Sequence, residues 1–133
     1  MTVGPIRSIV LGSGAFVVLL AISQLAASEL QADGTYHENW LEGVSSILAW
    51  FLPGLISGWV LRERPIMVGC ILGLLVLVIE FLVVTLIDGS DWAFAALLAF
   101  PGATLFGVFS VVVFTYAGSR LRQLHHSERS NAA

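Results

Sequence analysis

The chain contains few charged residues and no lysine. Only 11% of its 133 residues carry a charge, 57% are hydrophobic, and the mean hydropathy is +0.91. Charged residues make up about 25% of an ordinary soluble domain. The shortage of charge therefore excludes an ordinary soluble protein, and the sequence predicts an integral membrane protein.

The residues on which most redox and cofactor sites depend are also scarce. Cys70 is the single cysteine, which excludes an intrachain disulfide and a paired-cysteine redox motif. No histidine falls within an apolar run, so the usual axial ligands of a haem held between membrane helices are missing. There is no glycine-rich phosphate loop either. We therefore expect a protein that is not an enzyme and that has no cofactor.

Four apolar stretches approach or exceed the roughly 20 residues that a helix needs to cross the hydrocarbon core. They cover about Ile9–Ala27, Trp40–Leu61, Ile66–Ile87 and Trp92–Ala117. The sequence predicts an all-α integral membrane protein, a bundle of four transmembrane helices that forms one domain over residues 1–133. In this prediction, residues 28–39 form an outer acidic loop and residues 118–133 form a basic cytoplasmic tail.

The distribution of arginine predicts the orientation of the chain. All arginines precede the first stretch, follow the fourth, or lie between the second and third: Arg7, Arg62, Arg64, Arg120, Arg122 and Arg129. Because loops rich in arginine and lysine stay in the cytoplasm, we expect both termini to be cytoplasmic. We assign the protein to a plasma membrane, the inner membrane of a prokaryote. Membrane lipid is the expected partner, and no nucleic acid is expected.

An alternative for the first stretch is a secretory signal peptide. Arg7 precedes an apolar core, and Ala26, Ala27 and Ser28 resemble a cleavage site. The apolar run is long for a signal core, so we interpret it as a transmembrane span. Whether this span is processed stays open.

Small residues recur at helical spacing in every predicted span. Helix contacts within membranes depend on close packing, and small residues four positions apart let two backbones approach. The residues predicted to line such contacts are Gly12, Gly54, Gly58, Gly69, Gly73, Ala103 and Gly107. These faces favour a compact bundle that packs against further copies of the chain, as a homo-oligomer, or within a larger membrane complex.

Two prolines lie inside the second and fourth predicted spans. Pro53 and Pro101 are each followed by glycine, and each removes a backbone donor and clashes with the preceding turn. The sequence therefore predicts kinks in helices 2 and 4. The two segments also look alike, so a duplication of two hairpins is an alternative to ordinary kinks that serve packing.

Glu80 is the one charged side chain in the apolar run Ile66–Ile87. A charge at the bilayer centre costs roughly 2.5–3.5 kcal/mol on insertion scales, so we expect Glu80 to face protein and to be protonated at neutral pH. On a helix it shares a face with Gly69 and Gly73. The residues predicted at the same depth, as its hydrogen-bond partners, are Ser23, Gln24, Ser46 and Trp50.

The outer loop contains a weaker candidate for a metal site. Glu29, Asp33 and His37 recur at spacings of four, and two carboxylates with an imidazole suit a divalent cation. However, Asp33 and Gly34 form a turn signal that would interrupt a helix here. We therefore interpret this segment as a solvated acidic loop and predict no metal.

Two functions remain open from the sequence. The favoured one is a small non-enzymatic integral membrane protein, a structural or accessory subunit that packs through its small-residue helix faces. In that case Glu80 is a protonated acid that hydrogen-bonds between helices. The alternative is a small proton- or cation-coupled transporter or channel that uses Glu80 within the membrane.

Overall fold

The computed structural model describes residues 4–32, 40–61, 63–99 and 101–131. These residues form five α-helices joined by short connections. The helices are α1 (Pro5–Ala32), α2 (Trp40–Val60), α3 (Pro65–Asp88), α4 (Ser90–Ala99) and α5 (Pro101–Asn131). No strand occurs among them, so the described part of the chain is all-α, as predicted.

Three helices are long and apolar enough to cross a membrane. The segments are Pro5–Leu25 in α1, Pro65–Ile87 in α3 and Thr104–Ser127 in α5, with mean hydropathies of 2.0, 3.0 and 1.4. At 1.5 Å per residue each is at least about 30 Å long, which matches the hydrocarbon core of a bilayer. α2 adds a shorter apolar segment, Ile47–Val60. A membrane-integral helical chain is therefore confirmed, whereas the count of four full spans stays a prediction.

Proline and glycine define both ends of α3. Pro65 occupies the first turn, where its missing N–H would have no partner within the helix. At the other end Gly89 has a φ of 92°, which is easy only for glycine, and its N–H donates to the Thr85 carbonyl at 3.1 Å. The chain then turns directly into α4.

The described residues of the predicted fourth span belong to α4, which runs to Ala99, and to α5, which runs from Pro101. Residue 100 between them lies outside the described residues. α5 continues to Asn131, well beyond the predicted end of the span at Ala117. α2 runs through Pro53 as one helix. The kinks predicted at Pro53 and Pro101 stay predictions.

The core lies where α1, α2, α3 and α5 meet. Its buried members are Phe16, Ala49, Leu72, Val76 and Val111. α1 contacts both α2 and α3, and α5 contacts both α2 and α3, whereas the described residues of α4 contact only α3 and α5. Large aliphatic and aromatic side chains remain exposed along every helix, a surface that suits lipid.

Candidate functional site

One end of the bundle brings together the arginines that the structure describes. Ser8 near the start of α1 hydrogen-bonds Ser57 near the end of α2, so these two ends are neighbours. Arg122 of α5 donates from Nη1 to the carbonyls of Trp59 at 3.2 Å and Val60 at 2.8 Å. We call this the arginine end, and it contains Arg7, Arg64, Arg120 and Arg122.

Two fully buried hydroxyl groups join α1 to α2 at the arginine end. The Ser8 Oγ donates to the Ser57 carbonyl at 2.7 Å and lies 2.6 Å from the Ser57 Oγ. Both side chains have an exposure of 0%. A hydroxyl in an apolar interior is costly unless it is hydrogen-bonded, so this pair fixes the register of the two helices.

The closest contact between helices joins α2 to α5. A Cβ on Gly54 would lie 2.6 Å from the Val111 carbonyl oxygen, and a Cβ on Gly118 would lie 2.5 Å from that of Leu55. Gly58 faces the Thr115 carbonyl at still closer range. Each neighbour is backbone, which cannot rotate away. We call the region from these glycines to the arginine end the closed half of the bundle.

The other residues predicted for helix packing also lie between helices of this chain. Gly12 faces Leu72 and the carbonyl of Pro53. Gly69 and Gly73 face α5, and Gly107 is covered by the ring of Trp50. The side chain of Ala103 lies outside the described part of the structure. The described glycines on these faces are therefore occupied by intramolecular contacts.

Glu80 lies on the wall of a part-open cavity beyond the closed half. The cavity has a volume of about 470 Å³ and is formed by α2, α3, α4 and α5. Ligand cavities commonly have volumes of about 300–1,000 Å³. Glu80 is half-buried, and Ala93 and Leu97 of α4 form the facing wall. We call this space the Glu80 cavity.

Four aromatic residues line the Glu80 cavity: Trp50, Phe51, Phe81 and Phe106. Three of them are supported by a second ring. Trp50 meets Phe16 of α1, with 6.3 Å between ring centroids. Phe81 meets Phe94 of α4 edge-on, with 5.1 Å between ring centroids, and Phe51 meets Phe114 of α5 at 4.7 Å. Such pairs stabilise particular ring positions. The cavity therefore presents oriented aromatic surfaces beside one carboxyl group.

Polar groups are few in the Glu80 cavity. Among the described lining residues, Glu80 has the one titratable side chain, and Thr104 and Trp50 provide the other polar atoms. Thr104 already makes an interaction elsewhere. Within the described part of the chain, no residue donates a hydrogen bond to Glu80 or pairs with it. Glu80 thus lines the cavity without a hydrogen-bond partner among the described residues.

Three of the four predicted partners of Glu80 have described side chains. Trp50 lines the cavity. Ser23 is buried on α1, makes an interaction of its own, and is not among the described lining residues, whereas Gln24 is exposed. The side chain of Ser46 lies outside the described residues. Of the three described partners, Trp50 is therefore the one at the cavity that contains Glu80.

The weak metal candidates fall outside what the structure describes. Asp33 and His37 lie in the gap between α1 and α2, and the side chain of Glu29 is not described. Elsewhere, residues 4–32, 40–61, 63–99 and 101–131 contain no group of three metal-ligating side chains.

Sequence reasoning missed most of the cavity wall. The partners of Glu80 were predicted by depth on the first two spans, whereas Thr104, Phe106 and two α4 residues line the cavity from the region of the predicted fourth span. No signal in the sequence singled out these residues. Phe81, adjacent to Glu80 in sequence, carried no periodic signal that distinguished it from a lipid-facing residue.

The chain matches no family model, no curated protein and no solved structure in the three comparisons made. Its functional interpretation therefore depends on the geometry of the closed half and of the Glu80 cavity.

Proposed function

We propose that this chain is a small non-enzymatic integral membrane protein that binds a proton or cation at Glu80, as a small transporter or channel. The observation that supports this most strongly is the Glu80 cavity, in which a single carboxyl group faces about 470 Å³ of largely apolar space. An acid within a membrane is costly and usually marks an ion or proton path. The absence of a described hydrogen-bond partner leaves Glu80 available for a ligand.

The division of the bundle supports the same proposal. In the closed half, backbones touch at Gly54 and Gly118, and Arg122 fastens α5 to the end of α2. Around the cavity, the described residues of α4 contact neither α1 nor α2. A firmly packed scaffold with one lightly held wall suits a site that must open to admit a ligand.

Substitution of Glu80 by glutamine tests this function. The purified protein is reconstituted in liposomes, and proton flux and monovalent cation flux are measured separately. We expect flux in the wild type and its loss in Glu80→Gln with unchanged helicity and thermal stability. Asp91→Asn, which removes an exposed carboxylate at the start of α4, is the matched control and retains flux. Equal flux in wild type and Glu80→Gln would contradict the proposal.

A second candidate function is that of a structural or accessory subunit. The firm packing of the closed half favours it, because a rigid bundle with an apolar exterior is a suitable docking body. The glycines at the described contacts are occupied within the chain, so a second copy or a larger complex would dock on another face. A Cβ added at Gly14 of α1 would meet no atom within 4 Å, and Val10 and Val17 are exposed on the same helix.

Copurification in mild detergent tests the accessory role. A stable complex with a larger membrane protein, lost on introducing Gly14→Trp but not Gly54→Ala, would support it. A monodisperse particle with the mass of one chain would count against it.

We also propose that both termini lie in the cytoplasm of a plasma membrane. The reason is the arginine end, where the described arginines gather although they come from α1, α5 and the connection before α3. Accessibility of single cysteines introduced at residues 2 and 132 to an impermeant reagent in intact cells tests this orientation, with Cys70 replaced by serine.

A further inference from the structure

We infer that the Glu80 cavity binds a hydrophobic monovalent organic cation, held by the Glu80 carboxylate and by the aromatic rings that line the cavity. This inference names the substrate class of the proposed transporter or channel and rests on that function for its physiological meaning. Binding itself requires only the cavity. The charge of the cavity, the hydration of its ligand and the shape of its wall each favour such an ion.

The charge of the cavity favours a single positive charge. Among the described lining residues, Glu80 alone is titratable, and one carboxylate neutralises one cation. The ionised carboxylate would repel an anionic ligand, and a neutral ligand would leave its charge uncompensated in apolar surroundings. A divalent cation would in turn keep one uncompensated charge. A monovalent cation is therefore the ligand class with matched charge.

Hydration separates organic cations from metal ions. A metal ion that enters a site must exchange its water shell for several ligands, typically six or more oxygens for a hard cation such as calcium. The described lining offers the Glu80 carboxyl and the Thr104 hydroxyl, and Thr104 is already engaged. An organic cation with its charge spread over apolar groups is weakly hydrated and needs no such set of oxygens. The cavity fits it better than a metal ion.

The size and the aromatic lining of the cavity also favour an organic cation. Cations are attracted to the faces of aromatic rings, most strongly to tryptophan. Trp50, Phe51 and Phe81 surround the space next to Glu80, and Phe106 lines it from α5. The other lining residues are mostly aliphatic, and burial of the ligand's apolar groups against them would stabilise the complex. A volume of about 470 Å³ accommodates an ion of drug size.

Proton and cation would compete for the same group. The carboxyl group attracts the cation only when it is ionised, so a protonated Glu80 releases one proton as the cation binds. From α2 and α5, the described side chains that face Glu80 are uncharged, and the described titratable group of α4 is Asp91, exposed at its first turn. Binding should therefore weaken as the pH is lowered, with Glu80 as the group responsible.

Two ions of the same shape and opposite charge test the inference. Tetraphenylphosphonium and tetraphenylborate are titrated into the full chain in detergent micelles, and binding is followed by tryptophan fluorescence and by calorimetry. Empty micelles correct for partition into detergent. We expect saturable binding of the phosphonium and none of the borate. Equal binding of the two ions would overturn the inference, because the charge of the cavity would then play no part.

Variants assign the binding to Glu80. We expect Glu80→Gln to weaken phosphonium binding at least tenfold, Glu80→Asp to weaken it less, and Asp91→Asn to leave it unchanged. Unchanged binding in Glu80→Gln would overturn the inference. Because the comparison of the two ions uses the wild type alone, a folding defect in a variant does not remove the test.

Flux measurements distinguish this inference from the proposed function. Phosphonium binding without any flux in liposomes would support the site and contradict the transporter or channel. Proton or metal-ion flux that depends on Glu80, without phosphonium binding, would support the proposed function and overturn the organic-cation site.

Discussion

Adding a single methyl group at Gly54 should destabilise the bundle more than the same change at Gly14 or Gly107. The new Cβ would lie 2.6 Å from the Val111 carbonyl oxygen, whereas ordinary contacts begin at 3.4 Å. The two helices would therefore have to separate by about 0.8 Å along this contact. The nearest atoms also include the Thr115 backbone nitrogen at 3.1 Å, so no change of rotamer relieves the clash.

The magnitude follows from overpacking. Extra methylene groups in a well-packed core cost about 1–3 kcal/mol. Against this, alanine is a better helix former than glycine by about 1 kcal/mol in water. Gly14→Ala includes that gain with no clash, because nothing lies within 4 Å of its missing Cβ. The difference between the two variants therefore isolates packing, and we expect Gly54→Ala to be less stable than Gly14→Ala by about 1–3 kcal/mol.

The assay is reversible unfolding in mixed micelles with increasing denaturing detergent, followed by circular dichroism. Gly107→Ala provides an intermediate case, because its obstacle is the Trp50 ring, which can rotate. The expected order of stability is Gly14→Ala, then Gly107→Ala, then Gly54→Ala. Equal free energies of unfolding for Gly54→Ala and Gly14→Ala would refute the close approach of α2 and α5.

Three further predictions concern the closed half and the surface of α3. Ser8→Ala should lower the free energy of unfolding by about 0.6–1.7 kcal/mol, as for other hydrogen bonds between membrane helices. Ser13→Ala is the control and should change it little, because the Ser13 hydroxyl bonds within α1. Equal effects of the two changes would contradict the role of Ser8. Arg122→Gln should increase hydrogen exchange at the end of α2 and destabilise the bundle by about 1 kcal/mol, whereas Arg120→Gln, which breaks contacts within α5 only, should not. Cys70 is exposed on α3, so in liposomes lipid should shield it and a water-soluble maleimide should label it only after denaturation. Equal labelling rates before and after denaturation would place Cys70 outside the lipid.

Composition and hydropathy were enough to predict an all-α, membrane-integral chain. The long apolar runs determine this, because a helix is the structure that satisfies its own backbone in lipid. The packing of the two Pro-Gly segments was beyond such reasoning, since Pro53 and Pro101 have the same sequence context. Gly54 packs against α5, whereas Gly102 has open space around it, a difference that tertiary packing determines.

The candidate site was predictable in its central residue and not in its surroundings. Glu80 is visible in the sequence because a lone acid in an apolar run is costly. The rings that line the cavity with it come from residues that look like any other lipid-facing position. Depth along a helix identifies a level in the membrane but not which neighbouring helix faces Glu80.

Infrared difference spectroscopy of the Glu80 carboxyl group tests whether this group binds a proton or a cation. The wild type and Glu80→Gln are reconstituted in lipid, and spectra are recorded as pH is changed and as tetraphenylphosphonium is added. We expect a carboxyl band that changes with pH or with the cation in the wild type, persists in Asp91→Asn, and is absent in Glu80→Gln. Spectra of wild type and Glu80→Gln that respond identically to both additions would contradict this binding.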